Sequence, residues 1–230
     1  MKDIDRRFFE YLKGKSVAIV GRSNSLRFEK QAELIESYDI VARLHQGQPY
    51  LGTESHPGWD TRNYFVPVNL HKMVGTRTNI FMGSMYQITD VDYAKRILNV
   101  FKKAGGEFIT NELPYNAKDG FLSPEVEQLV GEVHNWSQAE QESLEEEIGD
   151  FPLVGTSAIM DIVSRDVGDV YVTGFPCFMD YLDLGIRPET LRDQVTEKVC
   201  VNNLRYLCSV ARRKNIKVDK TMKDLFYKYC

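Results

Sequence analysis

A chain of 230 residues with 43% hydrophobic and 27% charged side chains is long enough to bury a sizeable core, and its composition excludes the disordered, collagen-like and coiled-coil classes. A formal net charge of −4 supplies no long-range attraction to nucleic acid. No apolar run reaches the roughly 18 residues of a membrane span, and the opening MKDIDRRFF has acidic residues where a signal peptide is basic and then apolar, so a soluble cytoplasmic protein is expected.

Residues 1–230 read as a single domain, with an N-terminal helix within 1–14 and a helical segment over 188–230. Asp3 to Leu12 has the spacing of a short helix, with Phe8, Phe9 and Leu12 on one side and Gly14 after it. Val17 to Val20 is a short buried strand, and Gly21 opens a loop of small polar residues into the segment Leu26 to Ser37. The β-branched run Asp39 to Leu44 predicts a second strand, which completes a βαβ unit and brings a parallel sheet with it. From Gln46 to Val68 no periodicity holds, and a long excursion of this kind is often functional.

Thr78 to Met82 predicts a third strand. Thr89 or Asp90 then caps a helix over Val91 to Lys103, closed by Gly105 and Gly106. Glu107 to Thr110 is the fourth strand, and Ser123-Pro124-Glu125 starts a helix with Val126, Leu129, Val130 and Val133 on its apolar face. The acidic stretch Gln138 to Glu147 reads as a solvent-exposed helix or linker. Gly155, Thr156 and Ser157 lead into a helical run from Ala158, and Val170 to Thr173 is a fifth strand. The alternation defines an α/β fold with a mainly parallel, Rossmann-like sheet covered by helices on both faces.

Two strand-to-loop turns, SVAIVGRSNSL and PLVGTSAIMDIVSR, are expected to present helix N-termini to an anion, because unpaired N–H groups and the helix dipole favour phosphate there. Neither turn is a GxGxxG or carries the lysine of a P-loop, and Glu36 lies about 15 residues past Gly21 rather than the about 20 of a dinucleotide-binding unit, which disfavours an NAD-type oxidoreductase. Asp90-Val91-Asp92 has the form of a metal-binding pair, but its position at a helix start makes it a cap. The histidines His45, His56, His71 and His134 are far in sequence from Cys177, Cys200, Cys208 and Cys230, and no CxxC occurs, so zinc is not expected and the thiols are read as reduced. Arg205, Arg212, Arg213, Lys214 and Lys217, with Lys220, Lys223 and Lys228, read as a solvated face of the C-terminal helices rather than a nucleic-acid site.

Read in order, VAIVGRSNSL and LIESYDIVARLH resemble the large sialyl motif of the sialyltransferases of glycosyltransferase family 29, in a soluble bacterial or viral-type form. The matching residues are Val17 to Gly21, Ser23, Ser25-Leu26, Ile35-Glu36-Ser37-Tyr38-Asp39, Val41 and Arg43-Leu44-His45. VGTRTNIFMGS is similar to the strand that follows in that family, and PLVGTSAIMDIVSRDVGDVYVTGF resembles its small sialyl motif. The resemblance implies a metal-independent, Rossmann-like glycosyltransferase that moves sialic acid or a related acidic sugar from a CMP-activated donor to a glycan hydroxyl with inversion. It implies a donor site of Gly21, Arg22, Ser23, Asn24, Ser25, Arg43, His45, Gly155, Thr156 and Ser157.

The family uses a histidine followed by a glutamate as the base that takes the acceptor proton. Here the matching stretch is LRDQVTEK, with Arg192 or Asp193 at the histidine position ahead of Glu197, and no histidine follows His134. Arginine stays protonated and cannot be the base. The candidates are Glu197, Asp193, Asp183 and His45; the other outcome is a chain that binds or sequesters a nucleotide without transferring sugar. The disulfide that joins the two sialyl motifs in secretory relatives has no counterpart here.

Overall fold

The computed structural model describes residues 2–21, 23, 26, 31–44, 75–82, 91–111, 124–179 and 195–230. Within them a seven-stranded sheet is formed by β1 (Val17–Val20), β2 (Ile40–Leu44), β3 (Ile80–Met82), β4 (Phe108–Asn111), β5 (His134–Asn135), β6 (Val170–Thr173) and β7 (Lys217–Val218). The spatial order is β5-β4-β3-β2-β1-β6-β7, and every pairing is parallel. The chain therefore walks outward from β1 to β5, then returns to lay β6 on the other side of β1.

Continuous apolar runs form the central strands because both faces of the sheet are covered. VAIV of β1 is buried at all four positions. On one face Val17, Ile19, Ile40, Ala42, Ile80, Val170 and Val172 pack with α1 (Asp3–Leu12), α6 (Val154–Val163), α7 (Glu197–Lys214) and α8 (Lys220–Tyr229). On the other, Ala18, Val20, Val41 and Tyr171 pack with Ile35 of α2 (Ala32–Glu36). Phe81 and Ile109 extend that face against α3 (Val91–Lys103) and α4 (Pro124–Val130). This is the expected α/β Rossmann-like arrangement.

Local chemistry sets the element ends. In α1 the Lys2 amide donates to the Asp5 carboxylate at 3.1 Å, and Ile4, Phe8 and Leu12 form the buried stripe. The acidic stretch is α5 (Gln138–Ile148), opened by a reciprocal pair in which Glu140 N donates to Ser137 Oγ and Ser137 N to Glu140 Oε2, each at 3.3 Å. It closes on Gly149 at φ 69°, a conformation that favours glycine. It is not simply a solvated helix, since Gln141, Leu144 and Ile148 are buried, the two aliphatic ones against Trp136.

Three expectations are corrected. The strand at Val170 is the sixth, because the two-residue edge strand His134–Asn135 precedes it. The C-terminal segment is not purely helical: Lys217–Val218 separates α7 from α8 and pairs with β6. Two residues carry too little periodicity to be read as a strand, and it is the neighbouring β4 or β6 that extends them. Finally, α4 ends at Val130, so Val133 lies beyond it, while Leu129 is exposed.

Candidate functional site

Strand order reverses at β1 and β6, and in open parallel sheets the crevice at the carboxyl ends of the two strands flanking such a reversal is where ligands bind. The residues immediately after these strands, Gly21 and Gly174, are tied together. Gly21 N donates to Thr173 O at 2.7 Å and Ser23 N to Gly174 O at 3.2 Å. The approach requires glycine on both sides. A Cβ on Gly21 would stand 2.1 Å from Gly174 O, and Gly174 itself has φ 77°.

Phe175 follows at once and fills the space between the two predicted turns. A Cβ on Gly21 would meet its ring at 3.0 Å and one on Gly155 at 2.8 Å. The structure thus brings Gly21, Ser23, Gly155 and Thr156 into one neighbourhood through Gly174-Phe175. Gly155 lacks a side chain because an aromatic ring occupies the position.

The turns differ in what they offer. Helix α6 begins at Val154, so Gly155, Thr156 and Ser157 form its first turn and are not a loop ahead of it. The first amide returned to the helix is Ser157 N, bonded to Leu153 O at 3.0 Å, and Leu153 at the N-cap provides no side-chain acceptor. The amides of Val154, Gly155 and Thr156 precede that bond, and the dipole of a ten-residue helix points at them. Thr156 is 1% exposed and its Oγ1 has no hydrogen-bond partner. Buried hydroxyls are nearly always paired, so among the described residues this atom stands out as one with a hydrogen bond still to make.

Among the described residues, the next helix after the first turn is α2. α2 spans five residues and its N-cap is Gln31, well past Gly21. Gly21 and Ser23 instead line the crevice with backbone. Residues 22, 24–25 and 27–30, which complete the first turn, lie outside the described residues.

Two residues hold these parts in place through long-range contacts that no local sequence signal announces. Asn203 of α7, fully buried, accepts the Leu153 amide at 2.8 Å and donates to Phe151 O and Val199 O at 3.1 and 2.9 Å, which fixes the chain leading into α6. Asp219 accepts Thr173 Oγ1 at 2.7 Å and Gly174 N at 2.8 Å with one oxygen, and caps α8 through Met222 N at 2.7 Å with the other. Each connects segments about 50 residues apart in sequence, a separation at which no periodicity or spacing rule operates.

Glu197 is the first residue of α7, exposed, beside the N-cap Thr196 whose hydroxyl accepts Val199 N at 3.3 Å. The start of α7 borders the same 150–153 segment, since Asn202 Nδ2 lies 3.4 Å and Lys198 Nζ 3.9 Å from Asp150. Arg43 pairs with Val20 at the carboxyl end of β2. It is fully buried on β2, its Nε donating to Arg77 O at 2.9 Å and its Nη2 standing 3.9 Å from Glu36 Oε1. Glu36 in turn accepts Thr76 N and Arg77 N at 2.6 and 2.8 Å, so this arginine braces α2 against the turn before β3. Arg22, Asn24, Ser25, His45, Asp183, Asp193, Asp90 and the 46–68 excursion lie outside the described residues.

Among the described residues no group of three or more His, Cys, Asp or Glu side chains is arranged to hold a metal ion, and no helix is long and apolar enough to cross a membrane. Cys177, Cys200 and Cys208 are buried thiols, and Cys230 is an exposed one. Burial pushes the Cys200 thiol up to about 11.

The all-parallel strand order and the helices on both faces define a Rossmann-like α/β architecture. Comparison with solved structures narrows it to a sialyltransferase-like fold. A mammalian sialyltransferase superposes with a TM-score of 0.53 over 90% of this chain and 69% of its own, at 12% identity. The sialyltransferase CstII from Campylobacter jejuni, in complex with the substrate analogue CMP-3FNeuAc, superposes with a TM-score of 0.51 over 89% of this chain and 80% of its own, at 14% identity. No family sequence model matches the chain, and neither does any curated protein sequence.

Proposed function

We propose that this protein is a glycosyltransferase that moves sialic acid or a related acidic sugar from a CMP-activated donor to a glycan hydroxyl with inversion. The observation that carries the reading is the N-terminus of α6. Uncapped amides, a helix dipole and the Thr156 hydroxyl, without a partner among the described residues, meet beside the strand-reversal crevice, in a fold similar to that of the sialyltransferase CstII in complex with the substrate analogue CMP-3FNeuAc.

In this reading the phosphate of the donor lies against the amides of Val154, Gly155 and Thr156 and accepts from Thr156 Oγ1. The acceptor oxygen attacks the anomeric carbon as the bond from that carbon to the phosphate oxygen breaks. Negative charge grows on the departing CMP, where fixed N–H dipoles stabilise it without a metal ion. The acceptor proton passes to a carboxylate. Glu197, at the start of α7, is the described candidate for that base, and Asp183, Asp193 and His45 remain the others.

Release of CMP from CMP-sialic acid in the presence of a glycan panel tests transfer. The Glu197→Gln variant is expected to lose turnover about 100-fold while keeping CMP affinity. Unchanged turnover in that variant removes Glu197 from the role. Thr156→Val replaces a partnerless buried hydroxyl by a methyl of similar size, so it should leave the stability of the ligand-free protein unchanged or slightly raised. It should nevertheless weaken CMP binding about tenfold, the worth of one hydrogen bond to a charged group.

A second reading follows from the absence of any histidine after His134: donor binding retained and transfer lost. Tight CMP binding with no CMP release from any CMP-sugar favours it.

A further inference from the structure

His134 was unremarkable as a sequence position, yet it lies at the centre of a buried charge cluster. The ring is 1% exposed. Its Nδ1 is 2.9 Å from Asp5 Oδ1 of α1, and its Nε2 is 3.1 and 3.2 Å from the two oxygens of Asp161 on α6. Phe8 stacks on it at 4.3 Å and Phe9 meets it edge-on at 5.6 Å.

A neutral imidazole has one N–H. It can donate to one carboxylate and must then turn a lone pair toward the other. Only the imidazolium donates to both while both carboxyls stay ionised, and a neutral ring would need one of the two carboxyls to carry the proton instead. The surrounding charges agree. Arg165 donates to Asp161 Oδ1 at 2.9 Å, pairs with Glu140 of α5 at 2.8 Å and lies over the Phe9 ring at 4.2 Å. Without the imidazolium, one guanidinium would serve the three carboxylates Asp5, Asp161 and Glu140.

The two carboxylates are held unequally. Asp161 is fully buried and keeps Arg165 as a partner. The Asp5 side chain is 18% exposed, sits in the first turn of α1 and can exchange His134 for water. The ion pair of Arg7 with Glu132 at 3.2 Å spans the same seam, but both side chains are more than half exposed and such pairs hold weakly.

We propose that His134 is a pH-operated latch: with both ring protons it ties the first turn of α1 to α6 across the edge strand β5, and loss of one proton releases Asp5 and lets that turn open. Burial disfavours the charged ring, but the hydrogen bonds and charges of Asp161 and Asp5 outweigh it and hold the pKa above the ordinary 6.5. The linkage follows: opening of α1 grows by up to about tenfold per pH unit between the open-state and closed-state pKa values and then levels off.

The test is NMR on the full chain with 15N-labelled histidine, combined with amide exchange at Arg6 to Phe9 from pH 5.5 to 9.5. Two protonated ring nitrogens on His134 at pH 6 are expected, with α1 protection falling as one proton leaves while α6 protection holds. His134→Gln should make α1 protection low and independent of pH, once intrinsic exchange is corrected. Should that variant fail to fold, Asp5→Asn carries the same discrimination, because it removes the α1 side and leaves the contact with Asp161. A neutral ring at pH 6, or α1 protection with the same pH profile in wild type and Asp5→Asn, overturns the latch.

Discussion

Gly21 and Gly155 look alike in the sequence and do different work. At Gly21 an added Cβ would stand 2.1 Å from the Gly174 carbonyl oxygen, and neither backbone can move without breaking the bond from Gly21 N to Thr173 O. Gly21→Ala should therefore destabilise the protein by about 3 kcal/mol or more, read from urea denaturation. At Gly155 the clash is with Cδ1 of the Phe175 ring at 2.8 Å, which can turn. Alanine also gains about 1 kcal/mol over glycine inside a helix. Gly155→Ala should cost less than half as much as Gly21→Ala, and equal costs would refute the distinction. Both glycines were legible in the sequence, but what each one faces was not. Asn203 and Asp219 were illegible altogether: nothing near them in the chain hints at Leu153 or at Thr173 and Gly174.

Among the elements, α1 and α6 decide most. Phe8, Phe9 and Leu12 made α1 readable, although the stripe it buries is Ile4, Phe8 and Leu12 and Phe9 is only half-buried. The connection of α1 to α6 runs through His134 of a two-residue strand and escaped any pattern. That connection carries a pH dependence of global stability. The folded-state pKa of His134 is raised, so its contribution is complete below about 6.5 and disappears as pH rises through the folded value. Wild type should lose stability over that interval, on calorimetry or denaturant titration, by more than His134→Gln does. Parallel curves would show that the imidazolium contributes nothing. For α6 the apolar run from Ala158 was evident, yet the helix begins earlier, at Val154, because Asn203 holds the Leu153 amide and frees the next turn to coil. Helix starts set by a tertiary partner in this way cannot be found from capping residues alone.

At the scale of the whole molecule, the donor reading makes a thermodynamic claim. A ligand that binds only the folded chain stabilises it by about 2.7 kcal/mol at a concentration 100-fold above Kd. For a protein of this length that corresponds to a rise in Tm of about 5–10 °C. CMP is expected to produce such a rise and cytidine, lacking the phosphate, a far smaller one. Equal shifts would remove the anion from the N-terminus of α6.

The amino-acid sequence by itself determined the α/β class, the order of the central strands and helices along the chain, and the glycine turns at Gly21 and Gly155. These are encoded locally, in runs of buried β-branched residues, in helical periodicity and in residues without side chains. The tertiary structure decided the rest. It placed β6 beside β1 and so made the crevice, put Phe175 between the two glycines, started α6 at Val154, tied the Arg43 side chain to Arg77 O, and enclosed His134 between Asp5 and Asp161. Each of these depends on residues distant in the chain meeting in a sheet whose order of strands no local pattern specifies.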